Sequence, residues 1–284
     1  MRIAVTGSSG KLGSVVVREL RGAGHEVIAL DVTGRREPGF VQVELTDYGQ
    51  AVDALTAVDG RHDGVDALVH LAAIPAPGIR SDVATFHHNI TATFNVFWAA
   101  TRLGISRIVY ASSETVLGLP FDVPPPYVPV DEEYEARPES VYSLVKVLEE
   151  RLAQELVRWH PGLSITALRF SNVMWPEDYA AFPSFDADPL VRKWNLWGYV
   201  DARDGAQAVR RGLDVSPPGF DRFIVAAADT VMSRTNDELL DAVFPDVPRR
   251  GSVGRHETLL SIAKARRLLG YEPRHSWRDA VTND

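Results

Sequence analysis

Cysteine is missing from this 284-residue chain, and its absence excludes disulfides, thiolate metal ligands and a cysteine nucleophile at once. It fits a reducing compartment, and a cytoplasmic location is expected. Long apolar runs are missing too, since none approaches the ~20 residues of a membrane span. Residues 1–6, MRIAVT, enter an apolar strand directly, with no basic segment and long apolar run ahead of it, so no signal peptide is expected. Blocks of Lys and Arg are also lacking. The 38 acidic residues outnumber 30 Lys and Arg, for a formal charge of -8, which argues against a nucleic-acid partner. His70 and the pair His87–His88 have no third ligand at metal spacing, so no metal site is expected. What remains is an ordinary globular composition, 45% hydrophobic and 24% charged, long enough to bury a substantial core.

The runs 2–7, 26–31, 41–45, 66–72, 107–113 and 164–170 read as strands, mostly apolar without alternation, as expected where both faces of a parallel sheet are covered. Helical patterns near 11–22, 47–58, 82–103 and 139–160 lie between them. This alternation predicts an α/β fold, a Rossmann-type doubly wound parallel sheet. The proline-rich segment 118–138 cannot be a helix or an inner strand, and is expected as a long loop over the carboxyl ends of the strands. After 170 the pattern becomes irregular, with helices expected at 203–213, 235–243 and 257–269 and a strand at 222–227. The expected organisation is a dinucleotide-binding domain over 1–170, to which 200–227 returns, and a small C-terminal substrate lobe made of 171–199 and 228–284.

TGSSGKLG, residues 6–13, follows the first strand and opens a helix, the context of a phosphate-binding loop. Gly7 permits the tight turn, Gly10 close backbone approach to a pyrophosphate, and Gly13 close helix–strand packing, with Ser9, Lys11 and Leu12 between them. The alternative is a strand-to-helix turn without a ligand. Asp31, at the end of the second strand, can accept hydrogen bonds from an adenosine ribose and would repel the 2′-phosphate of NADP, so NAD is the expected cofactor, with NADP less favoured. Arg35 and Arg36 would reverse that preference by folding back, or form a solvated turn.

With these segments the chain resembles the extended short-chain dehydrogenase/reductase superfamily, in its NAD-dependent epimerase/dehydratase branch. VELTD (43–47) is similar to the family's adenine-contacting segment, which implies roles for Glu44 and Leu45. HLAAIPAP (70–77) resembles the loop beneath the nicotinamide ribose, implying cofactor contacts from Leu71, Ala72 and Ala73 and a substrate contact from Ile74. Asn89 matches a family asparagine in the next helix. Phe170, at the end of the sixth strand, is implied on the cofactor side.

YSLVK places Tyr142 and Lys146 four residues apart on one helix face. A free phenol titrates near ~10 and is a poor base at neutrality, but a neighbouring ammonium favours its phenolate. The bland alternative is an amphipathic helix start. The resemblance implies that Tyr142 exchanges a proton with a carbinol, that Lys146 also orients the ribose, and that Ser113 hydrogen-bonds the reacting oxygen. Sugar 4,6-dehydratases carry Asp-Glu after that Ser or Thr. Here Glu114–Thr115 follows, so one carboxylate is missing and hydride transfer without elimination is expected. Asn172 is implied in substrate contact. Trp175 stands where nucleotide-sugar enzymes usually have glycine; it either closes the nucleotide diphosphate region or is a core residue. Arg192, five residues before Trp197, is similar to a carboxylate-binding arginine of the compact uronate dehydrogenases.

The expected function is an NAD-dependent oxidoreductase or epimerase of a sugar or nucleotide sugar. The alternatives are a dehydrogenase of a free sugar acid or aldose, and a non-catalytic NAD-binding sensor or scaffold. Helices 82–103 and 139–160 are apolar on more than one side, and the resemblance implies a homodimer through them; burial under the second lobe is the other reading.

Overall fold

Short runs of Val, Ile, Leu and Ala become the parallel strands because each is buried on both faces, and the turns and helices between them carry the polar residues. The computed structural model describes residues 1–35, 37–57, 60 and 63–281. Among them the elements run β1 (Arg2–Thr6), α1 (Gly13–Gly22), β2 (Glu26–Asp31), β3 (Phe40–Gln42), α2 (Tyr48–Thr56), β4 (Ala67–His70), α3 (Asp82–Arg102), β5 (Arg107–Ser113), α4 (Val141–Trp159) and β6 (Ser164–Phe170). There follow β7 (Val173–Met174), α5 (Phe182–Phe185), β8 (Val200–Asp201), α6 (Ala202–Asp214), β9 (Gly219–Val225), α7 (Asn236–Val243), α8 (Ala263–Leu269) and α9 (Trp277–Val281).

Seven strands form one sheet in the order β3-β2-β1-β4-β5-β6-β9, every pair parallel. The chain leaves β1 toward β2 and β3, then returns to β4 on the other side of β1. That reversal opens a crevice at the carboxyl ends of β1 and β4, where ligands of such sheets bind. One face of the sheet packs Ile28, Leu68, Ile108 and Tyr110 with Phe97 of α3 and Leu156 of α4. The other packs Val5, Val109 and Leu168 with Val16 of α1 and Val209 of α6, and the same core continues into Trp197, Phe244, Leu259 and Tyr271. No described helix is long and apolar enough to cross a membrane.

Two of the expected elements that are shorter than their sequence patterns show the cause. The strand expected over 41–45 stops at Gln42, because Glu44 turns the chain: its Oε1 accepts from Thr46 N at 3.0 Å and Thr46 Oγ1 at 2.8 Å. The helix expected over 257–269 begins only at Ala263. Residues 257–260 are extended instead, bridging Asp229 to Glu257 and Val130 to Leu260. Val128 and Val130, within the proline-rich segment, are fully buried. Only its first part, Leu119 and Pro120, reaches the cleft; Phe121, Tyr127, Val128 and Val130 are buried, and Asp122, Val123, Pro124 and Pro126 between them are exposed.

Candidate active site

A cleft of about 950 Å³ lies at the carboxyl ends of the central strands, at the upper end of the range for small-molecule sites. The glycine loop forms one end. Gly7 has φ of 66°, and a β-carbon on it would stand 2.7 Å from Ala72 N. One on Gly13 would stand 2.0 Å from Gly7 O, so both glycines are demanded by the chain itself. A β-carbon on Gly10 would come only within 3.2 Å of Gly7 O. The loop therefore needs Gly10 less than the space above it does. α1 begins without a side-chain cap and without an acidic residue in its first turn, which leaves its positive end toward the cleft.

Asp31 Oδ2 accepts from Ser9 N at 2.8 Å, so the carboxylate holds the loop while facing the cleft. Glu44 lines the wall beside it, its carboxyl held below the usual range chiefly by the Thr46 backbone N–H. Lys11 forms an ion pair with Asp178 at 2.5 Å and lies 5.5 Å from the Trp175 ring centre. Trp175 Nε1 donates to Lys11 O at 3.1 Å. Trp175 is 42% exposed, so it is not a core residue; it lies against the glycine loop.

The other end is built where β5 stops. Ser112 turns inward, donating to Glu150 Oε1 at 2.7 Å, and Glu150 is held from the other side by Arg169 at 2.8 and 2.7 Å. Ser113 turns into the cleft. Its Oγ accepts from Thr115 N at 3.2 Å and Thr115 Oγ1 at 3.0 Å, which leaves its own O–H free to donate toward Tyr142 or a ligand oxygen. α4 starts where Ser140 and Ser143 cap each other reciprocally, so Tyr142 sits in its first turn and Lys146 one turn later, 5.9 Å from the Tyr142 ring centre. Burial pushes the Tyr142 phenol up, while Lys146 and the hydrogen bond from Ser113 pull it down. Lys146 Nζ donates to Ala111 O at 2.9 Å and Glu149 Oε2 at 2.8 Å. Although burial opposes it, the Glu149 charge raises the Lys146 ammonium above its usual value.

Beyond Ser113, Glu114 lies buried at the cleft wall. It accepts from Ser171 Oγ at 2.6 Å and Asn195 Nδ2 at 3.1 Å. Burial nevertheless lifts its carboxyl to about 7, so Glu114 can carry a proton near neutrality. Asn172 and Trp194 border the same end.

The cleft brings together Gly7, Ser9, Gly10, Lys11, Leu12, Gly13, Asp31, Glu44, Leu45, Leu71, Ala72, Ala73, Ser113, Glu114, Tyr142, Lys146, Phe170 and Asn172. It does not bring in three of the residues expected from the sequence. Asn89 is fully buried and clips the loop after β4, accepting from Ile74 N at 2.8 Å and donating to Ile74 O at 3.0 Å. Ile74 is itself buried, and the adjoining Pro75, Ala76 and Pro77 face the cleft instead. Arg192 lies behind Trp194, its guanidinium 4.8 Å from that ring centre and 5.4 Å from that of Phe185, donating to Gly198 O at 3.0 Å. Arg36 lies outside the described residues. Sequence reading missed Thr33, His88, Leu119, Pro120 and Trp194 as cleft residues. Only Leu119 and Pro120 carried a signal, the proline-rich segment at the strand ends.

Residues 3–209 match the profile described as NAD dependent epimerase/dehydratase family. A UDP-glucose 4-epimerase of Bacillus subtilis is 28% identical over 219 residues, covering 70% of this chain and 60% of the epimerase. An L-arabinose 1-dehydrogenase (NAD(P)(+)) of Haloferax volcanii is 28% identical over 281 residues, 96% of each chain. A solved UDP-galactose 4-epimerase superposes with a TM-score of 0.70 at 28% identity, over 99% of this chain and 96% of that one.

Proposed function

This chain belongs to the NAD dependent epimerase/dehydratase family, and on that footing we propose that it transfers a hydride between NAD and a sugar at a Ser113–Tyr142–Lys146 site. The observation that carries the reading is the meeting of those three side chains in one cleft with the glycine loop. The residues fit the cofactor: Gly10 leaves open the space a pyrophosphate would take, beside an uncapped helix end without a first-turn acid. Gly7, Ser9, Gly10, Lys11, Leu12 and Gly13 would hold the pyrophosphate, Asp31, Glu44 and Leu45 the adenosine, and Leu71, Ala72, Ala73, Lys146 and Phe170 the nicotinamide half. Bound NAD would supply the hydride acceptor. Asp31 at the ribose position favours NAD over NADP.

The chain's own part is proton handling and orientation. Tyr142 takes the proton of the sugar hydroxyl, its phenolate favoured by Lys146, and Ser113 donates to the oxygen as charge develops on it. Asn172 and the protonated form of Glu114 supply hydrogen bonds to the remaining hydroxyls. Arg192 acts from behind, through Trp194.

A free aldose or sugar acid is the substrate class this reading favours over a nucleotide sugar. Its support is end-to-end similarity to a free-sugar dehydrogenase; the end-to-end likeness to a solved UDP-galactose 4-epimerase keeps a nucleotide sugar as the second reading. A homodimer is part of the same proposal, since α3 and α4 expose Phe94, Leu144 and Leu148. So is a cytoplasmic location, on the absence of cysteine.

Incubation with NAD and a panel of aldoses, uronic acids and nucleotide sugars tests the assignment. Free NADH accumulating with an aldose or uronic acid is the expected outcome. Isomerised nucleotide sugar without NADH would replace it by epimerisation, and no turnover of any sugar would remove the substrate assignment. Retention of full turnover by Tyr142→Phe would remove Tyr142 from the mechanism.

A further inference from the structure

We propose that Glu149 is a positioning residue of this site: it anchors a one-way chain of buried hydrogen bonds that ties the loop after β4 to Lys146, and it limits the positive charge that Lys146 presents to Tyr142. The inference rests on the reading of Tyr142 and Lys146 given above.

The polarity of the chain follows from its fixed ends. Leu71 N and Ala72 N donate to Thr6 Oγ1 at 3.1 and 3.2 Å. A hydroxyl oxygen so occupied directs its own O–H to the remaining neighbour, His70 Nδ1 at 2.8 Å. His70 Nδ1 is then an acceptor and its proton sits on Nε2, which donates to Thr93 Oγ1 at 3.1 Å. Thr93 in turn donates to Glu149 Oε1 at 2.8 Å, and Lys146 donates to Oε2 of the same carboxyl at 2.8 Å. The opposite polarity, starting from a protonated Glu149, would leave the Thr6 hydroxyl proton facing two backbone N–H groups. Every donor therefore points at Glu149, and although burial pushes its carboxyl up, the Lys146 ammonium and the Thr93 hydroxyl favour the ionised form.

Thr6, His70, Thr93, Lys146 and Glu149 are all at most 3% exposed. Burial pushes His70 down to about 3, so it stays neutral and transmits orientation rather than protons. The charged or titratable groups around the Lys146–Glu149 pair are Tyr142 and Glu150 of α4, Tyr110 of β5, Arg169 of β6, His70 of β4 and His88 of α3. Of the described charged groups, Glu149 rather than any of these is bonded to Lys146 Nζ. Its charge opposes the phenolate of Tyr142.

Two measurements test the proposal. ¹⁵N NMR of histidine in the ligand-free protein reads the chain without any substrate: His70 is expected neutral from pH 5 to 9 with Nδ1 unprotonated, and a proton on Nδ1 overturns the polarity. In the pH profile of kcat/KM for sugar oxidation, Glu149→Gln is expected to lower kcat and move the ascending limb at least about half a pH unit lower. Thr93→Val cuts the chain but keeps the charge; it should leave the His70 tautomer, which Thr6 still fixes, and the limb in place. A limb unmoved by Glu149→Gln, or moved equally by Thr93→Val, overturns the electrostatic role. If Glu149→Gln does not fold, a proton on His70 Nδ1 in the unaltered protein still refutes the chain. Failure of the unaltered protein to oxidise any sugar would count against the proposed function, while the NMR result stands by itself.

Discussion

Glu114 and His70 should give this protein two opposed pH dependences of stability, and replacing Glu114 by Gln separates them. Glu114 moves from an ordinary 4.5 to about 7 in the folded chain. Between those values the folded state keeps a proton that the unfolded state has released, so stability falls as pH rises, by roughly 3 kcal/mol once pH passes 7. His70 moves the other way, from 6.5 to about 3. There the unfolded state holds the extra proton, so stability is fully present above 6.5 and is lost as pH falls toward 3, by roughly 5 kcal/mol in all. From 4.5 to 6.5 the two slopes nearly cancel in the native protein. Glu114→Gln removes one of them. Urea unfolding at pH 4.5, 5.5, 6.5 and 8 should show the variant gaining on the native protein by about 3 kcal/mol across that range, with the largest relative gain at pH 8. The lost acceptor for Ser171 or Asn195 shifts the whole variant curve down by about 1–3 kcal/mol without changing its slope. Parallel curves would refute the placement of a proton on Glu114, and with it the claim that burial outweighs its two hydrogen bonds.

Other consequences are open to simpler measurement. Gly13→Ala would put a β-carbon 2.0 Å from Gly7 O; backbone on both sides leaves no flexible atom to yield, so a loss above about 3 kcal/mol and loss of NADH binding are expected by thermal melting and fluorescence titration. Asp31→Ala should weaken both cofactors by freeing Ser9 N, yet raise the NADP-to-NAD affinity ratio roughly tenfold, about 1.4 kcal/mol; an unchanged ratio would show that Asp31 does not meet the ribose. A Phe94→Glu, Leu148→Glu double variant should sediment as a monomer while keeping its circular dichroism, if α3 and α4 make the homodimer face.

The parallel sheet and the ends of the cleft were legible in the sequence because their signals are local. A β-branched run declares a doubly covered strand, Gly7, Gly10 and Gly13 stand three residues apart, and Tyr142 and Lys146 share a helix face by spacing alone. Only the tertiary structure decided which way neighbouring side chains turn. Ser112 and Ser113 are adjacent, yet one is spent on buried Glu150 and the other faces the cleft. Asn89 and Arg192 hold other residues in place, Ile74 and Gly198 among them, rather than line the cleft, and nothing in their flanking sequence says so. Glu149 reads as an ordinary helix acid three residues after Lys146; Thr93, His70 and Thr6 reach it from three other elements, and Thr93 alone lies 56 residues away along the chain. Charge state depends on what is buried around a group, and burial is set by packing between distant segments. Residue types and spacing thus determined the chemistry available to this protein, and the packing of the sheet against α3, α4 and the segment around Asn195 determined the protonation state in which Glu114, Lys146 and Tyr142 offer it.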